Sequence, residues 1–119
     1  MQAHEHRAAA ERIERSMRKC SEENDHEILI EAAMLAGSHW LNAHLHEQGL
    51  SQAGDDVMHT YLLSVNQRRR LRVAQPQAMR LLGAIEDMRP AFVRGDAPDG
   101  PEAARTAIAW LPKIRNPTE

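Results

Sequence analysis

The sequence predicts an all-α domain, an up-and-down antiparallel bundle of four to five helices. Apolar residues recur at three- and four-residue spacing along most of the chain, and no strand-like alternation competes with that pattern. Aromatic residues are scarce: Trp40, Tyr61, Phe92 and Trp110 are the whole set. A core of Ala, Leu, Ile and Met suits close helix–helix packing better than sheets, which favour aromatic and β-branched residues. The links between periodic segments are short, which makes consecutive helices antiparallel neighbours.

The first helix is expected over 3–20, with Ala8, Ala9, Ile13, Met17 and Cys20 inward and Glu11, Arg12, Glu14 and Arg15 in solvent. Ser21, or else Asn24 or Asp25, caps the second helix, and Glu22, Glu23 and Glu27 lie near its positive end. That second helix, about 24–48, carries Ile28, Ala32, Leu35, His39, Ala43, His46 and Leu50 on one face. Leu29, Ala33, Ala36 and Trp40 widen the face, so the helix should be buried on two sides. Gly49 stops it.

A third helix is expected over 55–70, capped by Asp55 or Asp56, with Val57, Met58, Tyr61, Leu62 and Val65 inward and the arginine run at its C-terminal end. Pro76 opens a fourth, with Ala78, Leu81, Leu82, Ile85, Met88, Phe92 and Val93 inward and a kink at Pro90. A loop over 95–100 precedes a fifth helix, which starts at Pro101-Glu102 and ends at Pro112. Residues 1–119 form one domain, with 1–3 and 113–119 as loose tails.

Composition excludes several function classes. Net charge is −2, so no global field recruits nucleic acid or an acidic membrane. Lysine and arginine total 15, yet only Lys19 and Lys113 are lysine. Cys20 is the single cysteine, which rules out an internal disulfide and a cysteine-rich zinc site and fits a reducing compartment. Beside Arg18 and Lys19 it has no positioned base and reads as an apolar filler. The polar start carries no signal peptide, and no run approaches the roughly 20 apolar residues of a membrane span. The expected location is cytoplasmic.

Histidines are the first candidates for chemistry. His4 and His6 fall in a fraying start and read as inert. His39, Asn42 and His46 share a face of the second helix, His59 and Tyr61 sit on the third, and Glu86 and Arg89 lie three apart on the fourth. These seven are the candidates for a polar interior or a ligand pocket. Bundle metal sites repeat Glu-x-x-His on paired helices. Only Glu23 and His26 match that spacing, at a helix start, and the His44-Leu45-His46 pair splits its rings across the helix. A buried polar network fixing helix register is the reading preferred over a metal site. Arg68, Arg69, Arg70 and Arg72 are the candidates for phosphate or nucleic-acid contact. No aromatic platform lies beside them in sequence, and no glycine-rich phosphate loop is present.

The segment from Ala32 through His39-Trp40-Leu41-Asn42 to Glu47-Gln48-Gly49-Leu50 resembles the second helix of HEPN domains. Those helices read as small residues, a central His or aromatic, then Glu-x-Gly-Leu. The stretch Leu82 to Arg94, with Ile85-Glu86-Asp87-Met88-Arg89, looks like the family's late helix. The resemblance implies a helical bundle, often a homodimer, in a family linked to toxin–antitoxin systems, RNA cleavage or nucleotide binding. Catalytic members carry an Arg followed about four to six residues on by a His. Val57-Met58-His59-Thr60-Tyr61 resembles the His end of that motif, but Gly54, Asp55 and Asp56 stand where the Arg would be. No catalytic residue carries over.

The sequence therefore reads as a non-catalytic, HEPN-like binding or interaction module, with a second copy as the expected partner and another protein as a further one. A nucleotide- or RNA-binding protein using the arginine run is one alternative. A metal-dependent enzyme using His39, His46, His59 and Glu86 is the other. No metal ligand and no cofactor is assigned.

Overall fold

The computed structural model describes residues 1–117. Among these the regular structure is helical: α1 (Ala3–Met17), α2 (His26–Glu47), α3 (Val65–Ala74), α4 (Pro76–Glu86), the single turn α5 (Arg89–Phe92) and α6 (Gly100–Arg115), with a 3-10 turn at Thr60–Leu62. The all-α bundle expected from the sequence is the fold observed. No helix is long and apolar enough to cross a membrane among the described residues.

α2 is the axis. Its Leu29, Ile30, Ala33, Met34, Ala36, Trp40, Leu41 and Leu45 are buried against the other helices. Paired residues give the directions. Arg7 reaches Glu47 and Trp40 donates its indole N–H to Glu14, so α1 runs antiparallel to α2. Gln75 meets Gln48 and Arg89 meets Glu31, so the α4–α5 strand of the bundle is also antiparallel to α2. His44 bonds the Ile114 carbonyl, and Gly37 faces Leu111 and Ile114, so α6 runs alongside α2 in the same sense. A β-carbon at Gly37 would lie 3.2 Å from Leu82 Cδ1 and 3.3 Å from Ile114 Cδ1. The absence of a side chain there lets α4 and α6 approach the axis together.

The widened face of α2 is the buried one, and the expected primary stripe is not. Ile28 and Leu35 are exposed, and only Ala43 of that stripe is fully covered. Asp25 is the residue before α2, and its carboxylate accepts from the Ser21 N–H instead of capping. Gly49 takes the left-handed conformation, φ 71°, that ends a helix cheaply only at glycine.

The expected helix over 55–70 forms only from Val65 onward, as the start of α3. Residues 55–59 are irregular, and α3 starts at Val65, where Ser64 and Gln67 make a reciprocal capping box. The reason is tertiary. Asn42, buried in α2, takes both backbone groups of Val57: its Oδ1 accepts the Val57 N–H at 2.7 Å and its Nδ2 donates to the carbonyl at 2.7 Å. Those groups are then unavailable to a helical ladder. Met58, Tyr61, Leu62 and Val65, expected inward, are exposed. The arginine run occupies the middle of α3 and reaches its last turn with Arg72, as expected of cations near a helix C-terminus.

The C-terminal correction is larger. Pro112 does not end the last helix: α6 runs to Arg115, and Ile114 is fully buried where a loose tail was expected. An internal proline costs roughly 3 kcal/mol. Leu111 and Ile114, both buried, contribute about 1.5–3 kcal/mol each and offset it. At the other end Ala3 is already helical and His6 is buried, so the start does not fray. Residues 118–119 of the expected tail lie outside the described residues. Pro90 acts as expected, separating α5 from α4.

Candidate functional site

Three segments bring histidines together. His6 comes from the first turns of α1, His39 and His46 from positions two turns apart on α2, and Asp56 from the loop that Asn42 holds against α2. Asp56 Oδ1 accepts from His6 Nε2 at 2.9 Å and from His46 Nε2 at 2.8 Å. The remaining ring nitrogens are also engaged. His6 Nδ1 lies 2.8 Å from His39 Nδ1, and His46 Nδ1 lies 2.7 Å from Ser51 Oγ. The side chains of His6 and His46 are 3% and 6% exposed, whereas Asp56 is 31% exposed and forms the outward edge.

The network fixes its protons. An ionised carboxylate only accepts, so both Nε2 atoms carry hydrogen. His6 Nδ1 then accepts from His39, and His46 Nδ1 accepts from the Ser51 hydroxyl. Burial, then the nearby His6 and the Arg12 guanidinium, lower the His39 pKa from its ordinary 6.5, against a smaller opposing pull from Asp56. For Asp56, burial pushes the carboxyl up, but the hydrogen bonds from His6 and His46 and the charge on His6 outweigh it, leaving the pKa below 3.8.

Both shifts make acid destabilising. The unfolded chain protonates His39 first, so stability is complete above about pH 6.5 and falls as pH drops through the lowered folded value. Asp56 adds a second loss that begins below about pH 3.8, again because the unfolded state takes the proton first. Thermal unfolding followed across pH 3–8 should show Tm declining from about pH 6.5 downward, and His39→Gln should remove that first decline. An unchanged slope in the variant would show that His39 is not its source.

The other sequence candidates go elsewhere. Asn42 serves the loop, donating also to the Ser38 carbonyl at 2.8 Å. His59 and Glu86 form a separate cluster: the buried Glu86 carboxylate accepts from His59 Nδ1 at 3.0 Å, from the Thr60 N–H and from the Thr60 hydroxyl. The set His39, His46, His59 and Glu86 therefore does not assemble into one site. Glu86 and Arg89 also part company, since Arg89 pairs with Glu31 at 2.6 Å. That carboxylate, with a smaller share from Tyr61, raises the Arg89 pKa. Tyr61 is a surface residue stacked on His59, with ring centroids 4.8 Å apart.

The arginine run divides by helical geometry. Arg68 and Arg72, one turn apart on α3, line a groove of about 550 Å³ with Tyr61, Arg80 and the α4 surface. Arg70 lines a different depression, toward Leu50 and Asp55, and Arg69 is exposed and lines neither. Four adjacent guanidiniums do not make one cradle, but the groove gains Arg80 and an aromatic ring from outside the run.

Sequence reasoning passed over His6, Ser51 and Asp56. His6 joins the site only because the first turns of α1 dock on α2, a contact that no local pattern encodes. The usable signal was the seven-residue spacing of His39 and His46, with an acidic pair just beyond the following turn. No protein-family model, no curated protein and no solved structure matches the chain.

Proposed function

We propose that this chain is a non-catalytic interaction module of HEPN-like type that works in the cytoplasm as a homodimer, with the open side of α2 as its seam. The observation that carries the reading is the apolar circumference of α2. A helix apolar all round belongs in an interior. α1, α4 and α6 cover most of it, yet Ile28 and Leu35 are left 61% and 49% exposed. Seven residues apart, they lie on one line along the helix, the spacing of a self-complementary seam about a two-fold axis. One turn beyond Leu35, Ser38 holds the Val57 carbonyl, so Met58, 71% exposed, continues the strip. Large apolar side chains left exposed on one helix face mark a candidate interaction surface.

Light scattering on the full chain at tens of micromolar should give twice the 13.4 kDa chain mass. The double variant Ile28→Lys, Leu35→Glu should return it to the chain mass with helical circular dichroism unchanged. A monomeric wild-type protein sinks the homodimer reading.

A second reading, nucleotide or RNA binding, is favoured by one feature: Tyr61 shares its groove with Arg68, Arg72 and Arg80. Guanidiniums for phosphate and a ring for base stacking are the elements such binding uses. A single-stranded RNA oligonucleotide added to the same protein separates the two. Binding that falls steeply with salt and is lost in Arg68→Ala, Arg72→Ala supports it; no binding at low salt removes it.

A further inference from the structure

We infer that His6, His46 and Asp56 form a binding site for a divalent transition-metal ion of the zinc or nickel class, through His6 Nε2, His46 Nε2 and Asp56 Oδ1. The inference is independent of the α2 seam and of the arginine groove. Among the described residues these three are the group whose donor atoms converge, all within 4.8 Å of one another. A tetrahedral ion with bonds of about 2.0–2.1 Å needs donor atoms about 3.3–3.4 Å apart. Asp56 Oδ1 is now 2.9 and 2.8 Å from the two nitrogens, so the ion enters when the donors spread by about half an ångström. The Asp56 side chain is 31% exposed, so solvent and an ion reach the site from its side, and a change at its carboxylate alone makes the room. The two imidazoles need not move far: their ring centroids are 5.2 Å apart and tilted by 42°. Two imidazoles and one carboxylate suit borderline divalent ions, and solvent on the Asp56 side supplies the remaining position.

What separates this cluster from an ordinary buried network is its outer layer. Metal-bound histidines keep their other ring nitrogen hydrogen-bonded, which fixes ring orientation. Here both donors are Nε2, and both Nδ1 atoms are braced, His6 by His39 and His46 by Ser51. Each brace works in either direction. Without metal, His39 and Ser51 donate to the Nδ1 atoms. With metal, each Nε2 gives its lone pair to the ion and the proton resides on Nδ1, which donates to His39 Nδ1 or Ser51 Oγ. The His39 proton then occupies its own Nε2. Each imidazole carries one ring proton in either arrangement, so the switch is a change of tautomer. The ion would join α1, α2 and the 51–57 loop at one point, which couples its binding to the stability of the fold.

The test uses the tag-free full chain, stripped with chelator and titrated with Zn²⁺, and with Co²⁺ for its visible absorption, against a chromophoric competitor. One equivalent per chain is expected, with a rise in Tm. Asp56→Asn and His46→Gln should each weaken binding by roughly a hundred-fold and Ser51→Ala by about ten-fold, while His4→Gln and His59→Gln leave it unchanged. Long-range ¹H–¹⁵N spectra of the wild-type protein should show His6 and His46 passing from the Nε2–H to the Nδ1–H form on adding Zn²⁺. That readout needs no variant to fold. No saturable equivalent, or affinity unaffected by both Asp56→Asn and His46→Gln, overturns the site.

Discussion

Asn42→Leu is expected to destabilise the protein by about 3 kcal/mol, although leucine is close to asparagine in size and the position is buried. The side chain makes three hydrogen bonds: to the Ser38 carbonyl and to both backbone groups of Val57. Each net bond contributes about 1 kcal/mol, but a buried backbone group left without a partner costs a further 1–3 kcal/mol. The Val57 N–H has no other acceptor, whereas its carbonyl keeps the Ser38 hydroxyl at 3.1 Å. Leucine's buried apolar surface offsets about 1.5–3 kcal/mol of the roughly 4–6 kcal/mol sum, which leaves about 3 kcal/mol. Ser38→Ala, which removes only the redundant donor, should cost less than 1 kcal/mol. Urea unfolding measures both. Equal costs would mean that the Val57 clasp does not hold the loop.

The loop carries Asp56, so the same substitution should reach the histidine cluster. With Val57 released, Asp56 loses its fixed position between His6 and His46, and the acid-side decline in Tm assigned to Asp56 should shrink.

Ile114→Ala should cost 2–5 kcal/mol, the range for emptying a well-packed aliphatic site. Ile114 has no exposed surface, and its Cδ1 lies so close to Gly37 that a β-carbon there would sit 3.3 Å from it. The cavity borders Leu82 as well, so α2, α4 and α6 all lose contact with one substitution. Lys113→Ala, one residue earlier and exposed, should be within 0.5 kcal/mol of the parent. A tail would make both substitutions neutral. The difference between them, read by thermal or urea unfolding, measures how far the last turn belongs to the core. It also tests the balance around Pro112: once Ile114 is truncated, the proline's cost is no longer offset, and the final turn should lose protection from hydrogen exchange before the rest of α6.

The fold class, the long central helix and the breaks at Gly49, Pro76 and Pro90 were determined by the sequence itself, because each rests on local chemistry. Periodicity shows which segments can be amphipathic, a glycine accepts a left-handed turn, and a proline locally favours a helix start or break. The same local logic misplaced three things for one physical reason: energy supplied from elsewhere in the chain. Residues 55–59 have helical spacing, but Asn42 takes the backbone groups a helix would need. Pro112 signals a stop, but Ile114 gains more by burial than the proline costs. α2 carries two apolar stripes, and sequence cannot rank them without knowing which side α1, α4 and α6 occupy. The site follows the same division. His39 and His46 were readable as a pair because one helix sets their spacing. His6 and Asp56 were not, since an N-terminal turn and a loop residue 50 positions apart in sequence meet only once α1 has docked on α2 and Val57 has been pinned.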